Sequence, residues 1–210
     1  MVDNWIAPPL TQGNPSPVPW TQEQLFRYLR TGVDPLHGAV AATMTPTVRD
    51  ALDLPVVPDS DVRAIALYMS DIDYAGSRDS NVETITKEAL QTSFLGSGQD
   101  YDPDADLYAS ACLSCHYNSG TVPLAARPEL ALNSALTLPE PTNFIQAVLR
   151  GIGSTDGASG LVMPAYASSL SDAELARLAA YLRRTRTTRP PWTDLERKAS
   201  AARRELTVSR

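Results

Sequence analysis

The sequence has few residues that could bind a metal and no long apolar stretch. Its 210 residues include two cysteines and two histidines, and aromatic residues make up only 7%. No run approaches the roughly 18 consecutive apolar residues of a membrane-spanning helix. Residues 1–5 lack the basic and apolar segments of a secretory signal peptide. These absences argue against a membrane span in this sequence and leave very few side chains for cofactor chemistry.

Charge is unevenly distributed along the chain. The formal net charge is −6, yet residues 183–210 carry nine basic and three acidic residues, so the rest is strongly acidic. An acidic body argues against a nucleic-acid partner, which requires a basic face. The basic segment is expected either to dock on an acidic surface or to form a solvated helical tail.

Both cysteines and one histidine lie within five residues, Cys112-Leu-Ser-Cys115-His116. Cys-x-x-Cys-His is the attachment signature of a c-type haem. Two thiols about one helical turn apart can both add to the vinyl groups of one porphyrin. The histidine that follows can then bind the iron as an axial ligand. The spacing therefore predicts covalent haem c, anchored by Cys112 and Cys115 and ligated by His116.

Two other kinds of site compete for the same residues. A structural zinc site needs four ligands, and beyond the motif only His37 could supply another imidazole. A redox-active dithiol of the thioredoxin type needs a strand-to-helix junction, and no strand-rich pattern precedes Cys112. Haem attachment is favoured over both.

The residues after the motif predict short helices separated by loops. A helix is expected over residues 142–150, ended by Gly151. Ser171 and Glu174 form a capping box that opens an amphipathic helix. Its apolar residues recur at helical spacing: Leu175, Leu178, Tyr181 and Leu182.

The N-terminal part repeats this order of elements. Thr21 and Gln24 form another capping box, Gly32 ends the helix that follows, and Met44 corresponds to Met163. One repeat of this length indicates two copies of a domain. The first copy lacks its Cys-x-x-Cys-His, and truncation at its N-terminus is the favoured explanation.

The expected organisation therefore has four parts. They are an incomplete first domain over 1–75, a linker over 76–100, a complete domain over 101–188 and a tail over 189–210.

The sequence resembles the class I cytochrome c family. The resembling stretches include Leu107-Tyr-Ala-Ser-Ala-Cys-Leu-Ser-Cys-His, Leu161-Val-Met-Pro-Ala-Tyr and Leu170-Ser-Asp-Ala-Glu-Leu. Over nearly the whole chain it is similar to the last two haem domains of triple-haem cytochrome subunits of bacterial membrane-associated dehydrogenases. The stretches Trp20-Thr-Gln-Glu-Gln-Leu-Phe and His37-Gly-Ala-Val-Ala carry this narrower likeness. The resemblance implies an all-α fold of tandem cytochrome c-like domains.

The resemblance also implies roles for individual residues. Met163 would be the second axial ligand of the haem iron, and a thioether opposite an imidazole raises the reduction potential. The carbonyl of Pro123 would accept the remaining ring N–H of His116 and fix its orientation. Tyr166 would contact the haem. Met44 would be a ligand only if the first domain holds a second haem.

A haem iron with both axial positions filled relays single electrons rather than activating oxygen. The resemblance implies a periplasmic dehydrogenase complex, with a catalytic subunit as electron donor and a quinone or oxidase downstream. Contact with the membrane would be indirect or through segments outside this sequence. A free-standing periplasmic shuttle is the alternative, and a gas-binding or peroxide-reducing haem is a third interpretation.

Overall fold

A computed structural model describes residues 4–72, 81–95, 102–116, 128–153 and 163–208. Those residues are mostly helical, with one short antiparallel hairpin of β1 (Val33–Asp34) and β2 (Gly38–Ala39), so the predicted all-α class is confirmed. The helices are α1 (Gln22–Thr31), α2 (Met44–Thr47), α3 (Asp59–Asp71), α4 (Val82–Leu95), α5 (Pro103–Ala111), α6 (Leu113–His116), α7 (Ser134–Thr137), α8 (Thr142–Arg150), α9 (Asp172–Arg186) and α10 (Leu195–Val208). A π-helical turn covers Val48–Leu52 and a 3-10 turn covers Leu130–Leu132.

The first unit, residues 4–72, is built on the packing of α1 against α3. Both signals predicted for α1 are present, since Thr21 and Gln24 cap each other's backbone N–H groups and Gly32 ends the helix with φ 77°. The buried core between the helices consists of Trp20, Leu25, Leu29, Val62 and Ala66. The hairpin packs against α1, and just after it the N–H of Val40 donates to the carbonyl of Gly32 at 2.8 Å.

The second unit, the described residues between 102 and 208, is built on the packing of α5 against α9. Tyr108 of α5 and Tyr181 of α9 are buried, with ring centroids 5.8 Å apart. The predicted capping box at Ser171 and Glu174 opens α9, and α8 has the predicted bounds, with Gly151 as its C-cap. Because α5 leads directly into the Cys-x-x-Cys-His motif, this packing fixes the place of the motif.

The segment expected to be a linker contains a helix. Asn81 accepts a hydrogen bond from the N–H of Thr84 at the start of α4, and α4 packs against α9 and the 3-10 turn of the second unit. None of the helices in the described ranges is long and apolar enough to cross a membrane.

The basic C-terminal segment docks on acidic residues of the same chain. Arg184 lies 2.5 Å from a carboxylate oxygen of Asp102, and Arg203 lies 2.7 Å from Asp172. Partly exposed pairs of this kind each contribute less than about 1 kcal/mol. The side chain of Arg183 is buried, donates to the carbonyls of Leu138 and Pro190, and lies over the ring of Trp192. Arg203 thus holds α10 against the start of α9, Arg183 holds the segment that leads into α10, and Arg184 joins α9 to the start of α5.

Candidate cofactor site

The motif forms a tight turn at the end of α5. The N–H groups of Cys115 and His116 both donate to the carbonyl of Cys112, at 3.1 and 3.0 Å. Cys112 and His116 line a cavity of about 330 Å³, and Cys115 is exposed beside them. Burial raises the pKa of the Cys112 thiol to about 11, and neighbouring Cys115 raises it further. No disulfide joins Cys112 to Cys115.

The imidazole of His116 is oriented by a backbone carbonyl. Its Nδ1 lies 3.3 Å from the carbonyl oxygen of Pro128. Since a carbonyl can only accept, the proton is on Nδ1 and the lone pair of Nε2 is free to bind iron. Burial lowers the pKa of His116, and the hydrogen bond to Pro128 partly offsets this. His116 is therefore a neutral imidazole near neutral pH, which is the form that ligates a metal.

This arrangement gives Pro128 the role that sequence analysis assigned to Pro123. Pro123 lies outside the described residues. The internal repeat could have pointed to Pro128. Gly32 and Gly151 are 119 residues apart, and the residue 119 positions after Pro9 is Pro128.

Met163 lines the same cavity and is held there by main-chain hydrogen bonds. It forms a two-way bridge with Ile152, with N–O distances of 2.8 and 2.9 Å. The approach is close because Gly151 has φ 72°, and a Cβ on Gly151 would lie 2.4 Å from the carbonyl oxygen of Met163. Gly151 thus ends α8 and also makes room for the backbone of the expected ligand.

Tyr166 ties the Met163 loop to the motif. Its N–H donates to the carbonyl of Val148 at 2.9 Å, and its hydroxyl donates to the carbonyl of Ala111 at 2.5 Å. Within the described chain Tyr166 is absent from the cavity lining. Tyr166 therefore connects the Met163 loop to the segment that carries the motif, while direct contact with a haem stays a prediction.

The donor set fits a haem better than zinc. Apolar side chains complete the cavity wall around Cys112, His116 and Met163: Leu136, Phe144, Val148, Leu178 and Leu182. Among the described residues no three His, Cys, Asp or Glu side chains converge as a zinc site would require. An apolar cavity with an imidazole, a thioether and two adjacent thiols matches the needs of a covalently held porphyrin.

Residues of the first unit line the same cavity. Met44 and His37 are both in its wall. The His37 ring stacks on Trp20 with centroids 3.6 Å apart, and its Nε2 lies 3.3 Å from Oε1 of Gln24. Burial, and secondarily the charge of Arg27, lower the pKa of His37 to about 3. His37 is therefore a neutral, packed side chain, and a ligand role for Met44 remains a prediction.

Comparison with known proteins defines the class. Residues 99–182 match the family described as cytochrome C oxidase, cbb3-type, subunit III. This range includes the motif, Pro128, Met163 and most of α9. The chain thus contains a cytochrome c domain, and domains of this class hold haem c covalently.

Particular relatives narrow the comparison. The chain is 35% identical over 205 residues to one of the subunits of nicotinate dehydrogenase from Pseudomonas putida, covering 97% of this chain and 16% of the relative. It is 29% identical over 188 residues to the gluconate 2-dehydrogenase cytochrome c subunit of Pantoea cypripedii, covering 87% of this chain and 41% of the relative. It is also 29% identical over 191 residues to the cytochrome c subunit of alcohol dehydrogenase (quinone) from Gluconacetobacter polyoxogenes. That alignment covers 87% of this chain and 39% of the relative. The chain thus spans 16–41% of the length of these relatives, and the similarity includes its first unit.

Substitution of Gly151 tests the packing of the ligand loop. We expect Gly151→Ala to destabilise the protein by about 3 kcal/mol, because the left-handed backbone and the contact with Met163 both oppose a side chain. Gly32→Ala is the comparison, since it has a similar φ at a helix end not packed on Met163, and about 1 kcal/mol is expected. Denaturant unfolding measures both, and equal losses would contradict the proposed close contact.

Acid titration tests the environment of His37. Its pKa falls from 6.5 in the unfolded chain to about 3 in the folded one. Between these pH values the unfolded state therefore binds more protons than the folded state. The stability that the neutral His37 contributes is complete above pH 6.5 and is lost as the pH falls toward 3. The loss is at most about 1.4 kcal/mol per pH unit.

The matched variant is His37→Gln, which does not titrate. We expect its unfolding free energy to change less between pH 7 and pH 5 than that of the wild type, as measured by guanidinium unfolding of the haem-loaded protein. Identical pH slopes in the two proteins would show that His37 is protonated equally in the folded and unfolded states.

Proposed function

We propose that this chain carries single electrons through haem c as the cytochrome part of a dehydrogenase complex. The observation that carries the proposal is the convergence of Cys112, His116 and Met163 on one apolar cavity. Bound haem supplies an iron that is reversibly reduced by one electron. The chain's own residues determine how the haem is held and what its reduction potential is.

Each residue has a distinct task in this proposal. Cys112 and Cys115 would hold the porphyrin through thioether bonds, so the cofactor is retained in both redox states. His116, oriented by Pro128, and Met163, oriented by Ile152, would bind the haem iron. With both ligands bound, oxygen, carbon monoxide and peroxide would have no site at the iron. This favours electron relay over gas sensing or peroxide reduction.

The dehydrogenase partner is inferred from the relatives. Proteins named as cytochrome c subunits of gluconate and alcohol dehydrogenases align with both units of this chain. We infer a catalytic dehydrogenase subunit as electron donor, a quinone or oxidase as acceptor, and a periplasmic location, where c-type haem is normally attached.

Gentle isolation from the native host tests the assignment to a complex. The tagged chain should co-purify with a larger dehydrogenase subunit, and the haem in that complex should be reduced when the dehydrogenase substrate is added. Isolation as a monomer that no co-expressed dehydrogenase reduces would instead support the free shuttle.

Replacement of Met163 by leucine tests its role as a ligand. Leucine keeps the volume but lacks the sulfur, so we expect the reduction potential to fall by about 60 mV or more. This corresponds to a tenfold change in the equilibrium constant for one-electron reduction. The ferrous protein should also bind carbon monoxide rapidly. Redox titration and CO spectra measure these changes.

The matched control is Met69→Leu, because Met69 packs against the core of the first unit. It should leave both the potential and the CO spectrum unchanged. A Met163→Leu protein that behaves like this control would show that another residue binds the iron.

A further inference from the structure

The first unit supplies part of the wall of the second unit's cavity. Residues 5–8, before the first helix, line the cavity that also contains Cys112 and His116. The wall of the expected haem pocket is therefore made by two units that are far apart in sequence.

One side chain fastens this wall. The carboxamide of Asn143 binds both main-chain groups of Ile6: its Oδ1 accepts from the N–H, and its Nδ2 donates to the carbonyl, each at 2.8 Å. Asn143 is only 8% exposed. It therefore takes the place of a neighbouring strand and satisfies both polar groups of Ile6, which would otherwise be unpaired at the cavity edge.

Neighbouring contacts support the same attachment. The hydroxyl of Ser16 donates to the carbonyl of Leu132 at 2.8 Å, and Nδ2 of Asn4 lies 2.6 Å from Glu205 of α10. Both join the start of the first unit to the second unit. Asn143 differs from them because it lies on α8, the helix that also positions Met163 through Gly151 and Ile152.

The repeat shows that the first unit uses the corresponding side chain differently. The offset that relates Met44 to Met163 places Gln24 of α1 at the position of Asn143. Gln24 is equally buried, but its Oε1 accepts from Thr21 and lies near His37, within its own unit. The contact between units is thus a specific use of Asn143 and is not dictated by the repeat.

We propose that Asn143 is a positioning residue that fixes residues 5–8 of the first unit as the outer wall of the haem cavity and excludes water there. Water stabilises the more highly charged ferric haem, so a closed wall raises the reduction potential. This inference rests on the proposed haem function, which it extends by assigning a structural role to the first unit.

The test uses the full-length, haem-loaded chain and two variants. Asn143→Ala removes both hydrogen bonds to Ile6, and Asn143→Asp keeps an acceptor but loses the donor. The control is Asn81→Ala, which loses one hydrogen bond to Thr84 at the exposed start of α4. Hydrogen exchange of the amides of residues 5–7 and the reduction potential are measured for all four proteins.

Asn143→Ala should exchange these amides at least tenfold faster than the wild type and have a lower reduction potential, with His and Met ligation spectrally intact. Asn143→Asp, which still accepts from the N–H of Ile6, should show a smaller increase in exchange. Asn81→Ala should match the wild type in both. Unchanged wall exchange, or faster exchange with an unchanged potential, would overturn the proposal.

Two features keep the test decisive. If the variants fail to fold, hydrogen exchange of the wild type still tests the proposal. The Ile6 amide should then be as protected as the amides of α8, and rapid exchange of the Ile6 amide would overturn the proposal. If the chain carries no covalent haem, the proposed function fails through the missing absorption spectrum, whereas the exchange of residues 5–7 still reports on the wall.

Discussion

The structure depends on one constraint: an imidazole and a thioether from distant parts of the chain must face one apolar cavity. The packing of Tyr108 against Tyr181 fixes the helix that leads into His116. The two-way bridge between Ile152 and Met163 fixes the side chain proposed as the second ligand. The hydroxyl of Tyr166 joins the two segments through Ala111. Loss of any of these contacts would move His116 relative to Met163. The helices, caps and loops of the second unit therefore keep these two side chains facing one cavity.

The two histidines that line the cavity add no charge to it. His116 donates to Pro128 and His37 lies against Gln24, so both imidazoles are uncharged near neutral pH. The basic C-terminal segment is held by carboxylates on the outer surface of the second unit, such as Asp102. A cavity with little charge of its own leaves the axial ligands and the exclusion of water as the main determinants of the reduction potential.

Local sequence signals predicted much of this arrangement, and tertiary contacts account for the rest. The capping boxes, Gly151 and the Cys-x-x-Cys-His motif act within a few residues, so their spacing alone indicates helix bounds and an attachment site. Pro128 was missed because it acts through a backbone carbonyl, which any residue possesses. Asn143 was missed because its partner, Ile6, becomes a neighbour only when two units pack together. The helix that begins after Asn81 was missed because it packs on α9 and the 3-10 turn, which are distant from it in sequence.

X-ray absorption at the iron edge of the haem-loaded protein tests the central claim most directly. If His116 and Met163 both bind the iron, the first coordination sphere must contain a thioether sulfur together with the nitrogens of the porphyrin and the imidazole. The sulfur should be present in both the ferric and the ferrous state. A shell containing only nitrogen, or an iron with an open axial position, would contradict the account.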